Sequence, residues 1–100
     1  MNKIRYESIY ILKPTLTKEK INKTIEKLSA LIDEKGKVIK IENVGIKKLA
    51  YLVKSFTQGY YLIMDFEVST DKYAKGIYEI EQKVRTFEEI LKFLIVRKED

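Results

Sequence analysis

From Arg5 to Leu12 the chain runs Arg-Tyr-Glu-Ser-Ile-Tyr-Ile-Leu and stops at Lys13-Pro14. β-Branched and aromatic residues before a proline predict a strand. Beyond Glu7 both of its faces are largely apolar, which suits a central strand covered on both sides at one end. The period then changes. Thr17 stands as an N-cap, Leu16 and Ile21 are placed as a hydrophobic staple, and Ile21, Ile25, Leu28 and Ile32 follow at steps of four, three and four. That is one apolar stripe of a helix, with Gly36 as its stop.

Alternation in twos resumes near Val38 and lasts to Lys54, so that Ile39, Ile41, Leu49, Tyr51 and Val53 share one face and Lys48, Ala50, Leu52 and Lys54 the other. Asn43, Gly45 and Lys47 interrupt it. A strand of this length far exceeds the usual ~5–6 residues, which predicts a bend or bulge at Gly45, the residue there that takes positive φ without steric cost. Phe56-Thr57-Gln58-Gly59 reads as a short turn. Tyr60 to Val68 is the next strand, with Tyr60, Leu62, Met64, Phe66 and Val68 on an apolar face, so the two strands form a hairpin. Ser69-Thr70-Asp71 supplies caps for a second helix whose stripe, Tyr73, Ile77, Ile80 and Val84, repeats the four-three-four spacing. Arg85 to Glu89 reads as polar loop, Ile90 to Val96 as a last strand, and the final four residues as a short charged tail.

Strand-helix-strand-strand-helix-strand, with one apolar stripe per helix, predicts an α+β ferredoxin-like split fold: a four-stranded antiparallel sheet with both helices on one face and the first and third strands central. At 100 residues it is a single domain. The other sheet face has no helix left to cover it, so Ile9, Ile11, Tyr61 and Ile63 become candidates for contact with a partner.

Composition narrows the chemistry. There is neither cysteine nor histidine, which removes disulfides, Cys/His zinc sites and Ser-His or Cys-His nucleophiles. The adjacent acids Asp33-Glu34, Glu88-Glu89 and Glu99-Asp100 fall in loops or at a terminus, where nothing raises a carboxyl towards neutral pH. No Gly-rich phosphate loop is present, and no apolar run approaches the ~20 residues of a membrane helix. The reading is a cytoplasmic, non-enzymatic protein without metal or cofactor. Charge adds one positive feature. Between residues 35 and 54 six lysines stand against Glu42, and this stretch alone accounts for the chain's net charge of +5. A positive field gathered on one bent strand points to nucleic acid.

Several of these segments together resemble the bacterial small-subunit ribosomal protein S6 family. They are Arg5-Tyr6-Glu7 ahead of an apolar strand and Pro14, then Gly45-Ile46-Lys47-Lys48-Leu49-Ala50-Tyr51, then Gly59-Tyr60-Tyr61, and the closing Ile95-Val96-Arg97. The chain departs from the pattern after Tyr51, where Leu52 and Val53 stand in place of the Pro and Ile common in relatives. The resemblance implies a non-catalytic constituent of the small ribosomal subunit that pairs with ribosomal protein S18 and binds the central domain of the small-subunit ribosomal RNA.

On that basis Lys3, Arg5, Lys92 and Arg97, expected on the adjacent first and last strands, are assigned to RNA as one basic cluster. Ile46, Leu49 and Tyr51 on the bent strand are assigned to the protein partner, and Lys47, Lys48 and Lys54 beside them also to RNA, with Lys47 and Lys48 able to serve either. Core packing is an equal alternative for Leu49 and Tyr51. Two other functions share the fold. An RNA-recognition motif would stack bases on sheet aromatics, and Ile9-Tyr10-Ile11 fits the start of its first-strand signature, whereas Gln58 to Asp65 fits its third-strand signature badly. A homo-oligomeric regulatory domain would bind a small ligand through the bare sheet face.

Overall fold

A computed structural model describes residues 3–69 and 73–98, without the side chains of residues 73–75. It contains β1 (Lys3–Leu12), α1 (Lys18–Asp33), β2 (Gly36–Val53), β3 (Phe56–Ser69), α2 (Tyr73–Val84) and β4 (Ile90–Arg97). The strands form one antiparallel sheet in the order β2-β3-β1-β4, so β1 and β3 are central as the alternation predicts.

The even-numbered residues of the two central strands make the floor of the core. Tyr6, Ser8, Tyr10 and Leu12 lie beside Phe66, Met64, Leu62 and Tyr60 in the β1–β3 register, and all but Tyr60 are buried. Tyr6 stacks on Phe66 with ring centres 5.5 Å apart. Ser8 is buried because it is satisfied: its hydroxyl donates to the Met64 carbonyl at 2.9 Å. From above, α1 contributes Leu28, Leu31 and Ile32 and α2 contributes Ile80 and Val84, with Ile21, Ile25 and Ile77 packed around them. The Thr17 side chain accepts the Lys20 backbone N–H at 3.1 Å, which caps α1 as expected. Thr70 and Asp71, read as caps for α2, lie outside the described residues, and Ser69 closes β3.

Gly36 has a different role from the one its position suggests. The helix ends at Asp33 through a right-handed Glu34, without a left-handed cap. Gly36 instead opens β2 opposite Val68, where a Cβ would collide with the backbone carbonyl of Glu67. Close strand approach, rather than helix termination, demands the glycine.

β2 also departs from simple alternation. Its ladder with β3 shifts register between Val38 and Lys40 and again between Asn43 and Gly45, where Gly45 takes φ 101°. Each shift exchanges the faces of everything beyond it relative to sequence parity. Ile41 therefore lies opposite Met64, on the helix side, whereas Lys47 lies opposite Gly59 on the open side. The predicted common face for Ile39, Ile41, Leu49, Tyr51 and Val53 is thus divided by the bulges. The turn is displaced too: Phe56 to Gly59 belong to β3, and the reversal is made by Lys54 and Ser55, both at positive φ (48° and 73°). A two-residue loop with both residues left-handed is the connection whose twist matches the flanking strands. Lys-Ser is an unusual pair for it, which hid it from the sequence.

Tyr10 carries the one buried side-chain hydroxyl among the described residues that lacks a hydrogen-bond partner. Burial pushes its pKa up from 10 to about 12, an effect the neighbouring Ser8 hydroxyl moderates. In the unfolded chain Tyr10 ionises near 10, so the unfolded state loses its proton first as pH rises. The associated stability is fully present below pH 10 and lost between about 10 and 12, amounting to about 3 kcal/mol at 1.36 kcal/mol per unit. Urea unfolding of wild type and Tyr10→Phe should agree within about 1 kcal/mol at pH 7 and diverge in alkali, with about half the difference developed by pH 11. Parallel pH curves would show that Tyr10 does not control the alkaline limit.

Candidate nucleic-acid and partner interface

The odd-numbered residues of β1 and β3 face away from the helices, and the sheet registers extend this open face to both neighbours. Ile9 lies between Ile63 and Leu94, and Ile11 between Tyr61 and Lys92. On β2, Leu49 reaches the same surface, with its Cδ2 and the Cγ2 of Ile11 both beside the position a Gly59 Cβ would occupy. This half of the face, nearest the β2–β3 hairpin, is apolar. Leu94 is 57% exposed, and Ile9, Ile11, Tyr61 and Ile63 are half-buried. Beyond it Glu7 lies between Asp65 and Val96, and Arg5 opposite Glu67. That half, nearest the chain ends, is a charged mosaic.

The cations divide in the same way. At the mosaic end, Lys3 is held by Glu67 and Lys98 by Asp65, each at 3.2 Å. Arg5 is exposed on the open face. Arg97 lies opposite Tyr6, which puts it on the helix side, and it already has a partner there or nearby. Lys92 is opposite Ile11, six residues along β1 from Arg5, or roughly 20 Å at ~3.3 Å per residue. The expected single cluster of Lys3, Arg5, Lys92 and Arg97 is therefore not assembled: antiparallel pairing sends the start and end of β4 to opposite ends of β1.

Lys92 has other company. Together with Lys54 of the hairpin turn and Arg85 just past α2, it lines a groove of about 550 Å³ along the outer edge of β4, floored by Ile90 to Ile95 and containing one acid, Glu81. By sequence Arg85 falls in a polar loop. The order β2-β3-β1-β4 was the available signal, because it sets the hairpin tip, the end of α2 and the start of β4 at one end of the sheet.

The residues expected to meet a protein partner are likewise distributed over two faces. Ile46, 50% exposed, lies opposite Tyr60 on the helix side, and Leu49 lies on the open side. Between Lys48↔Gln58 and Val53↔Phe56 four residues of β2 oppose one of β3, so the strand bows outward. Tyr51 and Leu52 ride on this bow at 78% and 66% exposure, which excludes core packing for Tyr51 and leaves Leu49 half-buried at the sheet surface. Lys47 and Lys48 flank it on the open and helix sides respectively. Tyr10, the aromatic of the Ile9-Tyr10-Ile11 match to RNA-recognition motifs, is fully buried under the helices and offers no stacking surface.

A ferredoxin-like sheet with helices on one side and a bare apolar half on the other defines a small basic α+β protein with an exposed apolar surface. The family model described as ribosomal protein S6 matches residues 5–97. A small ribosomal subunit protein bS6 from Gloeobacter violaceus is 38% identical over 97 residues, covering 96% of this chain and 97% of that one. Its counterpart from Campylobacter jejuni is 36% identical over 96 residues, covering 95% of this chain and 74% of the relative. The crystal structure of 30S ribosomal protein S6 from Thermotoga maritima superposes with a TM-score of 0.88 at 28% identity, covering 97% of this chain and 89% of that one. The chain belongs to the ribosomal protein S6 family: it is a structural protein of the small ribosomal subunit, and not an enzyme.

Proposed function

We propose that this protein binds the central domain of the small-subunit ribosomal RNA as a pair with ribosomal protein S18, with Lys3, Arg5, Lys47, Lys48, Lys54, Lys92 and Arg97 towards RNA and Ile46, Leu49 and Tyr51 towards S18. The observation that carries this reading is the bare apolar half-sheet, Ile9, Ile11, Leu49, Tyr61, Ile63 and Leu94, adjoining the outward bow that displays Tyr51. An apolar surface bordered by lysines suits a protein neighbour at its centre and phosphate at its rim. Tyr51 has the profile of an anchor, a large amphipathic ring that a partner can desolvate.

Phosphate contacts give affinity without base reading, and their number sets the salt dependence. With a net charge of only +5, the chain alone can contact few phosphates and should bind RNA weakly. The pair should bind well, because S18 supplies a second surface and orders the bow. Titration of the RNA with and without S18 at several salt concentrations tests this. The expected result is tight binding only with S18, weakened by Tyr51→Ala through loss of the pair. Equal affinity with and without S18 would refute the reading.

A further inference from the structure

We propose that the groove on the outer edge of β4 is a track for an RNA strand's phosphates, with Arg85 as its central cation. This rests on the reading that the chain binds ribosomal RNA, and adds a site and a residue to it. Three cations reach the groove from three separate parts of the chain: Lys54 from the hairpin turn, Arg85 from the end of α2, and Lys92 from β4. Other lysines are engaged by acids, Lys3 by Glu67, Lys27 by Glu89, Lys35 by Glu79 and Lys98 by Asp65. Among the described residues Lys54, Arg85 and Lys92 have no ion-pair partner, and Glu81 alone offsets them in the lining. Uncompensated positive charge on three side chains that line one groove favours an anion there.

Arg85 is also held in place. Its guanidinium carbon lies 5.5 Å from the centre of the Phe93 ring, and Phe93 in turn stacks on buried Tyr10 at 6.4 Å. A guanidinium seated on an aromatic face keeps its edge donors for a phosphate and loses little freedom on binding it. Because β4 is the last strand of the sheet, its outer backbone N–H groups have no strand beside them and can donate to phosphate oxygens along the same track. Free guanidinium and ammonium groups above a row of backbone donors fit a polyanionic backbone. An acidic peptide added as a fifth strand is the competing occupant that the experiment separates.

The test is RNA titration across a salt series with the full chain paired with S18, comparing wild type with Arg85→Gln, Lys92→Gln and the double variant. Arg5→Gln serves as the variant outside the groove and Lys18→Gln, exposed in the first turn of α1 and absent from the groove's lining, as a control. Thermal unfolding verifies each fold. Arg85→Gln should weaken RNA binding about tenfold and reduce the salt slope by roughly one unit for the lost contact, with the slope recovered by Arg85→Lys. Wild-type affinity and slope in Arg85→Gln, alongside weakening by Arg5→Gln, would overturn the groove and leave the proposed function standing. Loss of S18 pairing with an unchanged salt slope would make the groove a protein contact, which also overturns it. Absence of salt-dependent binding by the wild-type pair would remove both.

Discussion

Leu28→Ala should cost the protein about 2–5 kcal/mol, a large part of the ~5–15 kcal/mol that holds a domain together. Leu28 has no exposed surface and sits in the stripe of α1 within the same core cluster as Leu62, Met64 and Phe66. Truncation there loses the transfer energy of the removed carbons and leaves a void that the sheet, pinned by pairing on both sides of β1 and β3, cannot collapse into. Urea unfolding reads this directly, and in a domain of this size the thermal midpoint should fall by about 10 °C or more. Glu26→Ala, on the exposed side of the same helix, should stay within about 0.5 kcal/mol. A Leu28 loss as small as that of Glu26 would mean the wrong face of α1 has been assigned to the core.

Gly36→Ala is expected to be comparably damaging for an unrelated reason. The added methyl meets the Glu67 carbonyl, a backbone atom at the end of the β2–β3 ladder, so no rotamer change relieves it. The strands must part at the start of β2, at a cost of about 3 kcal/mol by comparison with overpacking elsewhere. Gly45→Ala separates the two ways a glycine can be required. No atom lies within 4 Å of a Cβ at Gly45, yet its φ of 101° penalises any side chain, by about 1–2 kcal/mol. Stability should therefore fall in the order wild type, Gly45→Ala, Gly36→Ala. If Gly36→Ala is the milder of the two, the close approach of β2 to Glu67 is not tight in solution.

Both helices and the buried faces of β1 and β3 were legible because long, clean periodicities decide them: the four-three-four stripes and the run from Tyr60 to Val68 each match one period only. The fold class follows from their order. The arrangement of the candidate site was not legible. One extra residue in each of two bulges, at Ile39 and Val44, reverses the relation between odd numbers and faces, so Ile46 and Leu49 could not be assigned to sides by counting. The grouping of cations depends on strand direction. Arg5 and Lys92 lie on neighbouring strands yet at opposite ends, and Arg85 joins Lys54 and Lys92 only through the sheet order. Such relations are tertiary and leave no local trace in composition.

β2 is an edge strand of 18 residues that displays Ile39, Ile41, Ile46, Tyr51 and Leu52. Such an edge is a template on which a second copy of the chain can pair during any interval before assembly. The lysines at 37, 40, 47, 48 and 54 give the orphan molecule a colloidal defence, since two such edges approaching each other carry like charge. Ionic strength therefore pulls on this protein twice. Added salt loosens its hold on polyanions and, in the same concentration range, lowers the repulsion that keeps unassembled copies apart. The free chain is best dispersed at low salt, the condition under which its positive edge also attracts any polyanion most strongly.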